Sequence, residues 1–556
     1  MRMTPFTRAL MAGTALILIA GCGGGSEDTA TISTAADSPS PMDAPFTYRE
    51  GEPIDVATAL EAAGLGGTIS YASANFDDEL GATVLTDVRA GDDEASVTIA
   101  RAELFGVDTD TLMTVRQGAA MEDMAPLFRK IRLYDVDANF PIEQEGGAVG
   151  RGTFTAGGVD IDTLSVKSPG ERGYEGLSDR QASALGLQSL EFGGMALKTA
   201  VIDVPTGATD EDRAKIEVAD GRLGAYRQGA FDGMLAKNIS FEMKQDVDAI
   251  QESLSALGTD TSFLSNNLLQ QLAFPRQQSG TVGEFSWDGF SVANLLPYLE
   301  RDETPPLDAK NLISVGGMEM IDQVGYREGR KVSTTEKVTL SPIEFDHLMP
   351  KSFKMTSEGA VTDATAFFGD ANPEITEILM NNGLDEIEGN ATIVYDYEPK
   401  QGRINLNMET DANGLYETDF NLSLSDFDYP ALISGDEAAI EAAQGQLSLA
   451  NVTMRLEDDK LLDTLFAAIG VEQDRDPAVI RQQLSGLITF GALQGARFSP
   501  RVPDYAAALS SFINEGGTLT ISATPDAPVS FQSLTAVTEE NPASVLDTLD
   551  LTVTKN

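Results

Sequence analysis

Residues 391–425 read ATIVYDYEPKQGRINLNMETDANGLYETDFNLSLS and contain three runs in which apolar and polar residues alternate. A period of two is typical of strands with one buried face. "EPKQG" and "DANG" separate the runs, and Asn-Gly is a strong signal for a hairpin turn. The segment therefore predicts an antiparallel meander of three strands. Its alternating apolar positions are Ile393, Tyr395 and Tyr397, then Ile404, Leu406 and Met408, then Phe420, Leu422 and Leu424.

Three other segments share one order, in which an amphipathic helix is followed by glycine and then by a strand. They are residues 53–71, 372–395 and 504–521, and their glycines are Gly64, Gly383 and Gly516. Apolar residues recur at helical spacing before each glycine, and glycine suits the left-handed position after a helix. The segments are interpreted as diverged structural repeats, and chance similarity within an α+β protein is the alternative. Residues 458–470 predict a further helix.

A second pattern places an aromatic residue two positions before a glycine, with apolar residues after it. It occurs at Phe192-Gly193-Gly194, Phe231-Asp232-Gly233 and Trp287-Asp288-Gly289, and Gly158 begins a looser fourth copy. Apolar residues at the first and third positions after the glycine indicate a strand with one buried face. We expect the glycine to allow a bulge or bend, beside which the aromatic ring packs. A surface of aromatic rings that binds a ligand is the alternative.

Together these patterns predict an α+β fold, with predominantly antiparallel β-sheets and amphipathic helices packed on one face. The length predicts several units. The expected division is a signal peptide at 1–21 and a lipidated, disordered tether at 22–47, followed by three α+β units. The first, at 48–170, is β-rich, the second, at 171–360, carries the aromatic-glycine strands, and the third, at 361–556, holds the meander and the C-terminal helices.

The amino terminus has the composition of an export signal. Arg2 and Arg8 are followed by an uncharged run from Ala9 to Gly21, whose length suits a signal peptide and is too short to span a bilayer. The run ends in Ile19-Ala20-Gly21-Cys22, which resembles the lipobox of bacterial lipoproteins. In that family the cysteine receives a diacylglyceryl group, and the chain is cut before it and acylated. A short membrane anchor or an ordinary secretory cleavage site is the alternative.

Cys22 is the only cysteine of the chain, so its acylation would leave none for disulfides or thiolate–metal bonds. Residues 23–45 are rich in Gly, Ser, Thr, Asp and Pro and predict a disordered tether. Gly23 is not the aspartate that retains such proteins at the inner membrane of enteric bacteria. The expected location is therefore the cell envelope, with the periplasmic side of the outer membrane favoured over the inner membrane.

The net charge is strongly negative. Once the two signal-peptide arginines are removed, 36 basic residues face 87 acidic ones. This field repels nucleic acid and anionic headgroups, so nucleic-acid binding is excluded. An acidic surface that serves solubility is the favoured interpretation, and a sink for cations or cationic peptides is the alternative. The expected partners are a membrane, through Cys22, and a lipid or an envelope protein.

Motifs for catalysis are largely missing from the sequence. The single histidine, His347, lies in "IEFDHLMP" and is interpreted as a loop or strand-end residue. G-x-S-x-G, Ser-x-x-Lys, P-loop and G-x-G-x-x-G motifs do not occur. Residues 135–140 and 408–417 resemble calcium loops but lack required ligand positions. We therefore expect a non-enzymatic protein with no catalytic, cofactor-binding or metal residues. A pair of carboxylates among the many acids stays an open alternative.

Three functions are consistent with the sequence. The first is a non-catalytic envelope lipoprotein whose β-rich body binds an apolar ligand, a lipid or an envelope protein. The half-buried strands with aromatic-glycine units resemble those of AsmA-like envelope proteins, a resemblance that implies long curved sheets involved in lipid handling. The second is a structural scaffold, which needs closed sheets and a uniformly polar surface. The third is a hydrolase with paired carboxylates in a deep cleft. A long exposed apolar groove would favour the first function.

Overall fold

A computed structural model describes ten segments of the chain. They are residues 52–91, 95–143, 149–170, 176–205, 213–244, 277–327, 329–368, 373–497, 499–540 and 544–556. The predicted signal peptide, Cys22 and the predicted tether lie outside the described residues.

The predicted α+β class is confirmed, since strand residues outnumber helix residues by about two to one and the sheet is antiparallel. The chain divides into two compact units, Met1–Ile321 and Asp322–Asn556. The predicted boundary near residue 170 lies within the first unit, where strand pairing continues across it. The predicted boundary near residue 360 lies within a strand of the second unit.

The first unit contains most of the short strands of the chain. Its strands are β1 (Ile69–Ser70), β2 (Ser73–Asp77), β3 (Ala82–Gly91), β4 (Ser96–Phe105), β5 (Ala125–Glu143), β6 (Val149–Val166), β7 (Leu190–Phe192), β8 (Met195–Pro205), β9 (Arg213–Leu223), β10 (Tyr226–Arg227), β11 (Ala230–Phe231), β12 (Met234–Lys244), β13 (Gln277–Trp287), β14 (Phe290–Ser291) and β15 (Ser314–Val315). Its helices are α1 (Val56–Ala62), α2 (Thr109–Arg116), α3 (Asp179–Gln188) and α4 (Leu296–Glu300). Strand β16 (Met318–Arg327) begins in this unit and ends in the second.

The long strands of the first unit form one antiparallel sheet in the order β2-β3-β4-β5-β6-β8-β9-β12-β13. Most of the apolar side chains on one face are buried from β3 to β8, although Ile202 of β8 is 41% exposed. Ile161 and Leu133, for example, lie in one core cluster with Val56 of α1. Residues 135–140, which resemble a calcium loop in sequence, lie within strand β5.

A row of backbone-strained residues crosses this sheet. Asp87, Asp135, Thr199 and Asn238 all have positive φ angles near +50° and lie at equivalent positions of β3, β5, β8 and β12. At this level the alternation of side chains is interrupted, both in the strands that carry a left-handed residue and in β4 and β6 between them, so buried residues on either side of the row are three apart instead of two. Such pairs are Leu85 and Val88, Ile99 and Ala102, Leu133 and Val136, and Ala156 and Val159.

The aromatic-glycine units are bends between strands, as predicted. Gly233 joins β11 to β12 with φ +105°, and Gly289 joins β13 to β14 with φ +81°. A Cβ atom on Gly233 would lie 2.0 Å from the Trp287 carbonyl oxygen, and one on Gly289 would lie 2.0 Å from that of Phe231. The two bends therefore pack backbone against backbone, which only glycine permits.

Beyond these bends the short strands pair in the order β6-β7-β10-β11-β14-β15. Their register places Phe192, Tyr226, Phe231 and Phe290 side by side in one row. The first three rings are buried and Trp287 packs partly buried against the same core, as the packing interpretation predicts. The Tyr226 hydroxyl donates to the Leu187 carbonyl at 2.9 Å and accepts from the Gly229 amide at 3.0 Å.

The second unit is built from longer strands and more helices. Its strands are β17 (Arg330–Leu340), β18 (Glu344–Asp346), β19 (Met349–Asp363), β20 (Glu386–Glu398), β21 (Arg403–Ala412), β22 (Tyr416–Ser425), β23 (Ser448–Asp458), β24 (Gly517–Ala523), β25 (Val529–Ser530) and β26 (Leu551–Lys555). Its helices are α5 (Ala364–Phe368), α6 (Pro373–Asn381), α7 (Tyr429–Leu432), α8 (Glu437–Gln446), α9 (Leu461–Gln473), α10 (Pro477–Gly495), α11 (Val502–Glu515), α12 (Phe531–Glu540) and α13 (Ser544–Thr548).

The sheet of the second unit runs β17-β19-β20-β21-β22-β23-β24-β26, again entirely antiparallel. Strands β20, β21 and β22 are the predicted meander, which is therefore confirmed. Helices α9, α10 and α11 pack on the apolar face of the sheet. Phe466 and Phe512 from the helices form a cluster with Leu519 of β24. The prediction that helices cover one face is thus confirmed at this end of the sheet.

The three predicted helix–glycine–strand segments also have the expected local structure. Gly64, Gly383 and Gly516 follow α1, α6 and α11, and each has a φ angle between +68° and +76°.

Among the described helices, none combines the length and the hydropathy needed to cross a membrane.

Candidate functional site

The candidate site is the apolar face of the second unit's sheet. Alternation along each strand puts apolar side chains on one side, and the register aligns them across strands. We call the first aligned set the methionine row: Met355, Ile393, Met408, Phe420, Met454, Ile521 and Val553. A second set lies beside it: Phe353, Tyr395, Leu406, Leu422, Val452, Ala523 and Leu551. The two sets together are the open face.

Water reaches the middle of the open face. Met355, Met408 and Met454 are 40%, 38% and 44% exposed, and Leu406 and Phe420 are half-buried. On β3 to β6 of the first unit, by contrast, apolar side chains such as Leu85, Leu133 and Ile161 are buried. Contiguous exposed apolar patches are uncommon on monomeric soluble proteins, which makes this row the candidate for a binding surface.

The opposite side of the same strands is polar. Asn407, next to Met408, is exposed, and Arg455, next to Met454, forms ion pairs. Its guanidinium lies 3.0 Å from the Asp419 carboxylate and also contacts Glu457. The carboxylates around Arg455 raise the pKa of its guanidinium, with the hydrogen bond to Asp419 as the first cause. The two sides of the sheet therefore differ completely in chemistry.

Methionine suits a surface for varied apolar ligands. Its unbranched side chain has three rotatable bonds, and its thioether is polarizable. The three methionines are separated from each other by Ile393 and Phe420 within the row. The row is therefore lined with side chains that can change conformation to fit a ligand of irregular shape.

Aromatic residues border the methionine row on the β19–β20 side. The rings of Phe353 and Tyr395 stack with centroids 5.2 Å apart. The Tyr395 hydroxyl is buried and has no hydrogen-bond partner in the described part of the chain. Burial raises the pKa of Tyr395, so this hydroxyl stays protonated at neutral pH.

One end of the sheet is closed by a second aromatic group. Tyr397 is buried, and its ring meets that of Phe427 edge to face at 5.5 Å. Burial, assisted by the charge of Asp346, raises the pKa of Tyr397 to about 12. Burial also raises the pKa of Tyr429, whose hydroxyl is hydrogen-bonded to His347 Nδ1 at 2.8 Å.

His347 occupies the two-residue turn between β18 and β19 and has a left-handed φ of +58°. This confirms the interpretation of His347 as a strand-end residue. Its ring is buried against Tyr429 and so contributes to the closed end of the sheet.

The other end is closed by the helical layer. Leu462, Phe466, Phe512 and Ile513 from α9 and α11 form a cluster with Leu519. Ile521 and Val553, the last two members of the methionine row, pack against this cluster. The row therefore runs from exposed methionines into the space beneath the helices.

The first unit holds a different concentration of functional groups. Glu103 and Asp160 are buried on the polar side of its sheet. Asp160 lies 2.8 Å from Lys130 Nζ and 2.9 Å from Arg132 Nε, and Glu103 lies 2.8 Å from Arg101. Both buried carboxylates are already engaged by cations. The cluster is thus explained as an ion-pair ladder across β4, β5 and β6.

Metal ligation is not indicated by the described residues. Within the described ranges, no group of three or more His, Cys, Asp and Glu side chains is placed to hold a metal ion. Cys22, the one residue predicted to be modified, lies outside the described residues.

The sequence pointed to part of the open face. The meander prediction included Met408, Leu406 and Phe420 on one side of the strands. It did not include Met355 and Met454, because these lie in β19 and β23, outside the quoted meander. A signal was present, since Phe353 and Met355 alternate with polar residues, as do Val452 and Met454.

A comparison with known protein families gives one match. Residues 409–556 match a family model described as "Uncharacterized protein". The matched segment begins in β21 and ends at the last residue, so it includes Phe420, Met454 and all of helices α9 to α11. No curated protein matches the chain.

Proposed function

We propose that the protein is a non-catalytic, membrane-anchored envelope lipoprotein whose open face binds an apolar ligand. The observation that carries this proposal is the exposure of the methionine row on a sheet that is polar on its other side. Acyl chains of a lipid are the ligand class that fits best, because the row offers dispersion contacts over several strands. Each apolar side chain that such a ligand covers would contribute on the order of 1 kcal/mol.

The anchor in this proposal is Cys22, acylated after removal of residues 1–21. A single acyl chain holds a protein only marginally, whereas two or three make attachment effectively permanent. The periplasmic side of the outer membrane is the proposed location. A protein held there has membrane lipid within reach of its tether.

The anchor is tested by labelling cells with palmitate. The native chain should incorporate label and stay in the membrane pellet, and Cys22→Ala should lose both properties. If Cys22→Ala remained as firmly in the pellet as the native chain, the anchor would be wrong.

The ligand is tested by photocrosslinking in cells that express the full chain. A photoreactive phenylalanine analogue replaces Met408 in one variant and Asn407 in the matched control. These neighbours in β21 are both exposed but lie on opposite faces of the sheet. Irradiation should give lipid adducts, detected by mass spectrometry, at position 408 and not at 407.

Two other results would count against the proposal. Protein adducts at position 408, without lipid, would favour the structural scaffold. Equal lipid adducts at both positions would mean contact with the bulk membrane and not with a binding face. A hydrolase has less support, because the buried carboxylates of the first unit are engaged in ion pairs.

A further inference from the structure

Helix α10 of the second unit exposes large apolar side chains to water. Leu487, Phe490 and Leu493 are 68%, 61% and 69% exposed. They follow one another at intervals of three residues, so each is a neighbour of the next on the helix surface. We call these three residues the apolar stripe.

The helix itself is well anchored, so the exposure is not a sign of fraying. Asp476 caps its first turn by accepting from the Ala478 amide at 2.8 Å, and Pro477 occupies the first turn. Ile480 and Ile488 pack into the cluster formed by α9 and α11. The structure thus holds α10 in place with the apolar stripe facing outward.

Charge is distributed unusually around α10. The chain contains 87 acidic residues, yet residues 477–503 contain none. Arg481 is the single charged residue of the helix. Its side chain lies on the inner side, 2.7 Å from the Asp463 carboxylate and 4.9 Å above the Phe466 ring. The outer side therefore combines apolar residues with uncharged Gln, Thr and Gly residues.

We propose that α10 docks on a lipid bilayer, with the apolar stripe inserted between headgroups and acyl chains. Helices that lie in this interface bury their apolar side to a depth of about 5–10 Å. Elsewhere the acidic surface is repelled by anionic headgroups, so a helix that carries no acidic residue is where close approach to a bilayer is least opposed.

Charge also distinguishes the bilayer from a second copy of the chain. Two copies would each bring a formal net charge of −49, and their mutual repulsion opposes pairing through α10. A bilayer, by contrast, is already within reach of a tethered body, which raises its effective concentration.

This inference rests on the proposed function and extends it to the source of the ligand. The helical layer that carries the apolar stripe on its outer side contacts Ile521 and Val553 on its inner side. These two residues belong to the methionine row. Docking through α10 would therefore place one end of the open face next to the membrane that supplies the lipid.

The test uses the chain's lack of other cysteines. In the acylated full-length protein, Leu487→Cys provides a single reactive thiol for an environment-sensitive dye. The labelled protein is reconstituted into vesicles of phosphatidylethanolamine and phosphatidylglycerol. Dye emission at position 487 should shift to the blue, and quenching by aqueous iodide should fall several-fold. Lipids with a quencher near the headgroup should quench the same dye.

Asn407→Cys is the matched control, because position 407 is exposed in the same unit but lies on the polar side of the sheet. Its dye should behave as in water. Leu487→Cys combined with Phe490→Asp should restore iodide quenching several-fold. A dye at 487 that stays fully accessible to iodide in the vesicles would overturn the proposal.

Two further results distinguish a failure of the docking proposal from a failure of the proposed anchor. A blue shift at 487 that occurs without vesicles and grows with protein concentration would indicate pairing of copies and would also overturn the proposal. Labelling of the parent protein at Cys22 would instead mean that the anchor is not acylated. That result counts against the proposed function, and vesicle flotation of the same protein then tests docking by α10 alone.

Discussion

The strands of the two units use the same alternation of side chains but differ in how far water reaches them. In the first unit Ile161 is completely buried on the apolar face, and its neighbour Asp160 is buried on the other face. In the second unit Met408 and its neighbour Asn407 are both exposed. Alternation therefore specifies which side of a strand is apolar, but it does not specify whether that side is covered.

The largest expected difference between the sheets concerns their ion pairs. Asp160→Asn would remove the buried carboxylate that Lys130 and Arg132 share, although Lys130 keeps its exposed partner Asp162, so we expect the first unit to lose about 3 kcal/mol of unfolding free energy. Urea unfolding followed by the fluorescence of Trp287, the single tryptophan, reports on this unit.

The matched change in the second sheet is Asp419→Asn, which removes an exposed partner of Arg455. Its effect should be below about 1 kcal/mol, because water screens exposed pairs. Hydrogen exchange of β22 and β23 measures it. Equal losses of unfolding free energy in the two units would contradict the difference in burial between their ion pairs.

The second prediction compares the apolar faces. Ile161→Ala should cost about 2–5 kcal/mol, because it creates a cavity in a packed core. Ile202→Ala on the same sheet, where the side chain is 41% exposed, should cost clearly less. Trp287 fluorescence during urea unfolding measures both variants.

In the second unit, Met408→Ala should also have a small effect on stability, seen by hydrogen exchange of β21. A large loss at Met408 would mean that this side chain is a structural part of the core. The open face would then not be available to a ligand.

The third prediction uses two tyrosines with different hydrogen bonding. Tyr226→Phe removes the hydroxyl that serves both Leu187 and Gly229, so it should cost about 1–3 kcal/mol. Tyr395→Phe should be neutral or slightly stabilising, because no partner of its hydroxyl is found among the described residues. Thermal unfolding of the two variants checks the contrast, and a destabilising Tyr395→Phe would contradict it.

The smallest expected effect is the pH dependence of stability that comes from Tyr397, at the buried end of the second unit's sheet. The pKa of Tyr397 rises from 10.0 to about 12 because burial disfavours the phenolate. The folded state thus holds this proton more tightly than the unfolded state. The stability from the buried neutral phenol is present below pH 10 and is lost as the pH rises towards 12.

A spectrophotometric titration of tyrosinate tests this point. The native protein should show a late step that Tyr397→Phe lacks. If Tyr397→Phe instead lacked an early step of the titration, Tyr397 would be in contact with water, and the open face would extend to that end of the sheet.

Much of the local structure could be predicted from the sequence. The meander at 391–425, the glycine after each of three helices and the bends at Gly233 and Gly289 all follow from patterns a few residues long. The open face could be predicted only in part. Met408 lies in the meander, but its alignment with Met355 and Met454 depends on pairing between β19, β20, β21, β22 and β23.

The row of left-handed residues in the first unit shows the same limit. Asp87, Asp135 and Asn238 belong to the residue types that adopt a positive φ angle most readily, but Thr199 does not, and residue type alone does not align the four positions. They are aligned because neighbouring strands must bend at the same level to keep their hydrogen bonds. Sequence patterns of period two miss such a row, since the alternation changes phase where it crosses the strand.

The sequence by itself determined the α+β class, the strongly acidic surface, the apolar side of each meander strand and a single cysteine in a lipobox-like context. These are local properties, set by residue type and spacing within a few turns or strands. The tertiary structure alone decided that the apolar face is packed around Ile161 in the first unit and exposed around Met408 in the second, and that α10 turns its apolar stripe outward. Burial depends on which segments, distant in sequence, pack over a surface, and the residues of the surface alone do not show which segments these are.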